Sequence, residues 1–183
     1  LALTTLVTDG SQPIGRGIGP MLEARDVMRV LSAHPEAPAD LREKSLLLAG
    51  QILEFDSALP PGTGKDRARA ILDSGAALAK MEAIIAAQGR HDFDWRAPPL
   101  GALAHEVLAG TDGAVGAIDI ERIARIARRA GAPKAKGAGV DLLARCGDRV
   151  VRGQPLYRIH ATSSAELGFA VQVAARGSAF SIG

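Results

Sequence analysis

Cysteine occurs once in the 183 residues, at Cys146, so no disulfide forms within the chain. That usage fits a reducing compartment, and a cytoplasmic setting is expected. Aromatic residues are scarce, at 3%. The core must therefore be filled by Leu, Ile, Val and Ala, and the aromatic-studded basic surface that stacks bases is absent, so nucleic acid is not an expected partner. No apolar run approaches the roughly 18 residues of a membrane span, and none of the patterning of a secretory leader is present; no membrane partner is expected. Net charge is only +2, from 22 basic and 20 acidic residues, too balanced to steer a polyanion. Neither G-x-G-x-x-G nor the Gly-Lys-Ser/Thr of a phosphate loop occurs.

What is present is concentrated near the start. Leu3 to Thr8 alternates β-branched residues with Leu and suits a buried strand. Asp9-Gly10-Ser11 and Gln12-Pro13 form turns, Gly15, Gly17 and Gly19 free the backbone, and Pro20 suits the first position of a helix. Such a loop is either an anion cradle at a helix N-terminus or a tight strand-to-helix connection. A core-like strand with few partners before Leu103 also implies that the chain is cut from a larger protein.

Periodicity predicts helices over 20–33 and 39–56, and a third over 65–88 that Gly75 interrupts and Gly89 caps. In the first of these, Leu22, Val27, Val30 and Leu31 form the apolar face, with Arg25, Asp26 and Arg29 elsewhere. His91-Asp92-Phe93-Asp94-Trp95 lies in a boundary loop and is either a metal cluster or, with no second cluster to complete a tetrahedral set, solvated polar residues. Beyond Pro98-Pro99 the pattern changes. Strands are expected at 104–108 and 113–118 around the Gly110–Gly113 turn, and at 140–144 and 156–160 around Gly147–Pro155. Asp119 is a candidate N-cap for a helix over 120–130, and a last helix is expected over 164–176. Arg122, Arg125, Arg128 and Arg129 make either a phosphate-facing stripe or the solvated side of that helix. Pro133 to Gly139 looks like a mobile loop, and His160 is a lone strand-end histidine, catalytic or structural.

These residues carry a resemblance. Thr8-Asp9-Gly10-Ser11-Gln12-Pro13-Ile14-Gly15, followed by Gly19 and Leu22-Glu23-Ala24, resembles a motif of the thymidine and pyrimidine nucleoside phosphorylases, in the variant of the longer branch that includes AMP phosphorylases. The likeness continues in order through Ala86–Gly89, Gly113–Asp119, Lys136–Val140, Gly147–Val150 and Pro155-Leu156. It implies an α/β (α+β) fold: residues 1–95 completing the C-terminal part of a large α/β domain, and 96–183 forming a small C-terminal α+β domain with a lipoyl-type hammerhead hairpin. It implies reversible phosphorolysis of a nucleoside, thymidine above all, with nucleoside 5′-monophosphates as the alternative. A non-catalytic scaffold or carrier-like module built on 100–183 is a third reading, although Gly147-Asp148-Arg149 lacks a modifiable lysine.

The family's phosphate loop and base-holding residues lie upstream of the resembling segment. No catalytic residue is therefore assigned, and the chain alone is expected to be inactive. Its implied partners are the upstream part of the same polypeptide, phosphate and nucleoside, in a homodimeric parent. No cofactor is required. A structural monovalent cation, potassium, is implied at the carbonyls of Ile14 and Gly17 and the carboxylate of Asp26; the alternative for Asp26 is an ordinary helix-surface carboxylate.

Overall fold

The computed structural model describes residues 3–89 and 94–183. In chain order the elements are β1 (Gly17–Ile18), α1 (Pro20–Leu31), α2 (Ala39–Leu53), α3 (Gly64–Asp73), α4 (Ala76–Ala87), β2 (Leu103–Leu108), β3 (Gly113–Ile118), α5 (Ile120–Arg129), β4 (Gly139–Leu142), β5 (Arg149–Val150), β6 (Pro155–Ala161), α6 (Ser164–Ala175) and β7 (Phe180–Ile182). Every strand pairing is antiparallel. Mixed helices and antiparallel sheets make an α+β fold, as expected for the second half of the chain.

Four strands form the first sheet, in the order β1-β4-β6-β2, and three form the second, β5-β3-β7. One face of the first sheet is apolar. Its Val140, Leu142, Tyr157 and Ile159 are buried against Ile123 and Ile126 of α5 and Ala170 of α6. The α5 helix begins as its sequence dictates, with the Asp119 carboxylate accepting from Arg122 N–H at 2.9 Å. Tyr157 stacks on Phe180 of β7 with ring centroids 5.7 Å apart. Burial pushes the Tyr157 phenol up to about 12.

Several expectations are corrected here. Residues 3–8 form no strand: Leu3 and Val7 are each 90% exposed, and the segment pairs with nothing described. Alternation specifies a strand only where another edge takes up its N–H and C=O groups. The helix expected over 65–88 is interrupted at Gly75 as the sequence suggests: at φ +78° it turns the chain between α3 and α4, giving two separate helices. Strands β2 and β3 do not pair across their turn: β2 joins β6 and β3 joins β5 and β7. The 133–139 segment is not a loose loop, since Lys136 and Gly137 carbonyls accept from Met21 and Gly101 N–H at 3.2 and 2.8 Å. His91, Asp92 and Phe93 lie outside the described residues. Among the described residues no helix is long and apolar enough to cross a membrane.

Glycines set how closely the backbones approach. At Gly50 of α2 a Cβ would stand 2.7 Å from Lys65 N and Cα, so α2 and α3 touch backbone to backbone there. The same device recurs at the loop before α1.

Candidate functional site

The glycine-rich loop that resembles the family motif is the structural crossroads of the chain. It lies between α1, the start of α2 and the first sheet, to which it contributes β1, with Gly17 paired to Asp141 and Ile18 to Val140. Its backbone N–H groups are consumed by the protein's own carboxylates. Gly15 N–H donates to Asp40 at 3.1 Å, and Arg16 and Gly17 N–H both donate to Asp26 Oδ2, at 2.7 and 2.8 Å. Gly19 N–H donates to Glu23 at 2.9 Å. A phosphate cradle needs these donors free and convergent. Here carboxylates stand where an anion would be, so the loop is a clamped joint.

The glycines serve this closeness. Gly17 leaves 2.5 Å between an imagined Cβ and the Leu22 backbone carbon. Gly19 adopts φ +132°, and a Cβ on it would overlap the Ala138 carbonyl oxygen across the β1–β4 seam. Contacts from the far half of the chain complete the joint. Arg145 donates to the Gly15 carbonyl and to Asp40, the latter at 2.5 Å. Gln12 Oε1 accepts from Cys146 N–H at 3.2 Å.

Asp26 is the centre of this network. Its side chain is 2% exposed, which corrects the helix-surface reading of this residue. Arg25 beside it is buried as well, and both share the inner face of α1 with Leu22 and Val30. The spacing 22, 25/26, 29/30 is that of one helix face, so these charges lie on the apolar side and not away from it. Arg25 donates to Asp26 Oδ1 from Nε and Nη2, at 3.1 and 2.9 Å, and bidentately to Asp141 of β4 at 2.7 and 2.8 Å. Burial alone lowers the Arg25 pKa, but the hydrogen bonds and charges of Asp141 and Asp26 outweigh it and hold the guanidinium above its ordinary value. The triad Asp26–Arg25–Asp141 thus welds α1 to the sheet.

Of the three residues named for a cation, the structure brings Gly17 to Asp26, through the Gly17 N–H. Ile14 is 39% exposed and borders a cleft with Val7, Thr8 and Lys44. A carboxylate offers about four lone-pair positions, and four donors fill those of Asp26. In this arrangement the Asp26 carboxylate is fully engaged by the protein's own donors. Among the described residues no group of three His, Cys, Asp or Glu side chains is placed to hold a metal.

Sequence reasoning missed Arg25, Asp40, Asp141 and Arg145. The signal for the first was available: adjacent opposite charges falling on the apolar face of an amphipathic helix require buried partners. The others are between 25 and 130 residues from the loop atoms they hold, and no local pattern announces them.

Residues 114–181 match the pyrimidine nucleoside phosphorylase C-terminal domain. Over its whole length the chain is 55% identical to a protein of Albidiferax ferrireducens and to one of Methylococcus capsulatus, and over 182 residues 55% identical to one of Rhodopseudomonas palustris; each is named "Putative thymidine phosphorylase". The chain spans 35% of the length of each of these relatives. On these matches the chain carries a pyrimidine nucleoside phosphorylase C-terminal domain at residues 114–181 and is similar along its whole length to a C-terminal portion of these relatives.

Proposed function

We propose that this chain is the C-terminal part of a thymidine phosphorylase-type enzyme, in which phosphate attacks the anomeric carbon of thymidine, thymine departs and 2-deoxyribose 1-phosphate is left with inverted configuration. The observation that carries the proposal is the 55% identity over all 183 residues to relatives so named. The reaction needs cationic groups around phosphate and donors for the departing base. The loop that resembles the family motif has its amides engaged by Asp26, Asp40 and Glu23, which supports assigning that chemistry to the upstream polypeptide. Residues 1–95 then complete the large α/β domain and 96–183 form the small C-terminal domain. A homodimeric, cytoplasmic parent belongs to the same proposal.

The test is phosphorolysis of thymidine, uridine and AMP by this chain alone and by the longer protein. The chain alone is expected to give no turnover, and the longer protein is expected to prefer thymidine. Turnover by the 183-residue chain would overturn the assignment of catalysis upstream, and a preference for AMP would move the parent to the nucleotide branch.

A potassium ion at Ile14, Gly17 and Asp26 is proposed for the longer protein only. There it needs upstream oxygen ligands and an Asp26 turned away from part of its present N–H donors. Exchanging potassium for choline is accordingly expected to leave the melting temperature of this chain unchanged. A rise specific to potassium would mean that the three residues close a site without help.

A further inference from the structure

The non-core face of the first sheet carries a line of charge: Asp141 on β4, Arg158 on β6 and Glu106 on β2. Arg158 donates to Glu106 at 2.5 Å, and both are more than a third exposed. His160 lies on the same face two residues along β6, yet it is only 7% exposed, and among the described residues neither ring nitrogen finds a hydrogen-bond partner of good geometry. Unlike Arg158, His160 faces the backbone of Gly101, in the strap of residues 98–101. The strap crosses the end of the sheet from the β2 side to the 137–139 turn. Gly101 lies against the Ala161 backbone so tightly that a Cβ would overlap it, and Gly101 N–H donates to the Gly137 carbonyl at 2.8 Å. On the other side, Gly137 leaves 2.5 Å between an imagined Cβ and the Pro99 oxygen.

We infer that His160 is the latch of this strap, and that adding a proton to its ring releases residues 98–101 from the sheet. The charged groups that face the ring decide the direction. Among the described residues Asp141 on β4 is the carboxylate that favours an imidazolium, but both its oxygens are held by Arg25. Arg25 from α1 and Arg158 from β6 itself oppose it. Glu106 of β2 is committed to Arg158, the 136–139 turn adds only the exposed Lys136, and the strap offers Gly101 backbone. Among the described residues a charged ring under the strap therefore meets two guanidinium groups and one shared carboxylate, and its relief is water, which lifting the strap admits.

The linkage has a definite sign. Burial, reinforced by Arg158 and Arg25, holds the His160 pKa below the ordinary 6.5 despite the pull of Asp141 and of the Gly101 backbone. As pH falls below about 6.5 the open form takes up a proton that the closed form refuses, so closure weakens until the depressed value is passed.

The test is amide hydrogen exchange of this chain at pH 7.5 and pH 5.0, corrected for the intrinsic pH dependence of exchange. Protection of Gly101 is expected to fall at least tenfold at pH 5.0, while the amides of Ile126 and Ala127 in α5 keep theirs. In His160→Gln the Gly101 protection is expected not to change with pH. Unchanged protection of Gly101 in the wild-type chain, an equal fall in His160→Gln, or a fall shared by the α5 amides would each overturn the inference. The wild-type comparison decides by itself if the variant does not fold.

Discussion

Replacing Asp26 with alanine is expected to lower the stability of the chain by about 3–5 kcal/mol, the range for removing one partner of a buried, hydrogen-bonded ion pair. The reason lies in what the substitution leaves behind. The Arg16 and Gly17 N–H groups lose their acceptor, and Arg25, 8% exposed at its side chain, retains only Asp141. An unpaired buried donor costs about 1–3 kcal/mol by itself, and more where the group is charged. Asp26→Asn keeps the shape, but its single carbonyl oxygen cannot face both the loop amides and Arg25, so a loss of the same sign and somewhat smaller size is expected. Chemical denaturation with an unchanged slope measures both. A loss below about 1 kcal/mol for the alanine variant would mean that the network is an ordinary surface arrangement.

The second large effect is expected at Gly19. Alanine there must adopt φ +132° and place its Cβ into the Ala138 carbonyl oxygen at the β1–β4 seam. Backbone strain of about 1–3 kcal/mol adds to an overpacking cost of similar size, so a loss of about 3 kcal/mol or more is expected. Gly62 is the control: its φ is +83°, but nothing lies within 4 Å of a Cβ placed there. Gly62→Ala is expected to cost about 1 kcal/mol, the strain alone. Equal losses at the two positions would show that close approach plays no part and that the glycines serve conformation only.

The contrast between these glycines explains how far the sequence could be read. Helices α1, α5 and α6 were legible because their signals are local: Pro20 at the first turn, Asp119 as N-cap, and apolar residues at helical spacing. Strands β4 and β6 were legible from short apolar runs on either side of a glycine-rich turn. The purpose of Gly15, Gly17 and Gly19 was not, because what they approach is supplied by Asp40, Leu22 and the 138–139 backbone, and glycine spacing is the same for a ligand cradle and for a backbone seam. The strand expected over 3–8 failed for the converse reason. Its pattern is correct for a buried strand, but β1 and β2 already end the first sheet, and neither pairs with it. The two-residue β1 escaped notice because glycine disfavours strands, and its pairing is imposed by Val140 and Asp141. In α1, placing Arg25 and Asp26 away from the apolar face followed charge rather than geometry. The 22, 25/26, 29/30 spacing already put them inside.

A division of labour is proposed for the longer protein. The loop that resembles the family motif joins α1 to the sheet by way of Asp26, Arg25 and Asp141, with Asp40, Glu23 and Arg145 closing its ends. A joint so constrained transmits position well and binds anions poorly. Its proposed part in phosphorolysis is to hold the upstream polypeptide in register with the C-terminal domain.

The most direct test of that account follows the backbone amides of Gly15, Arg16, Gly17 and Gly19 by nuclear magnetic resonance while inorganic phosphate and then thymidine are added. If the four amides are held by Asp40, Asp26 and Glu23, their shifts stay constant to millimolar phosphate and the Arg16 and Gly17 amides exchange slowly with solvent. A saturable phosphate-dependent shift confined to those four amides would contradict the account and return the loop to an anion cradle.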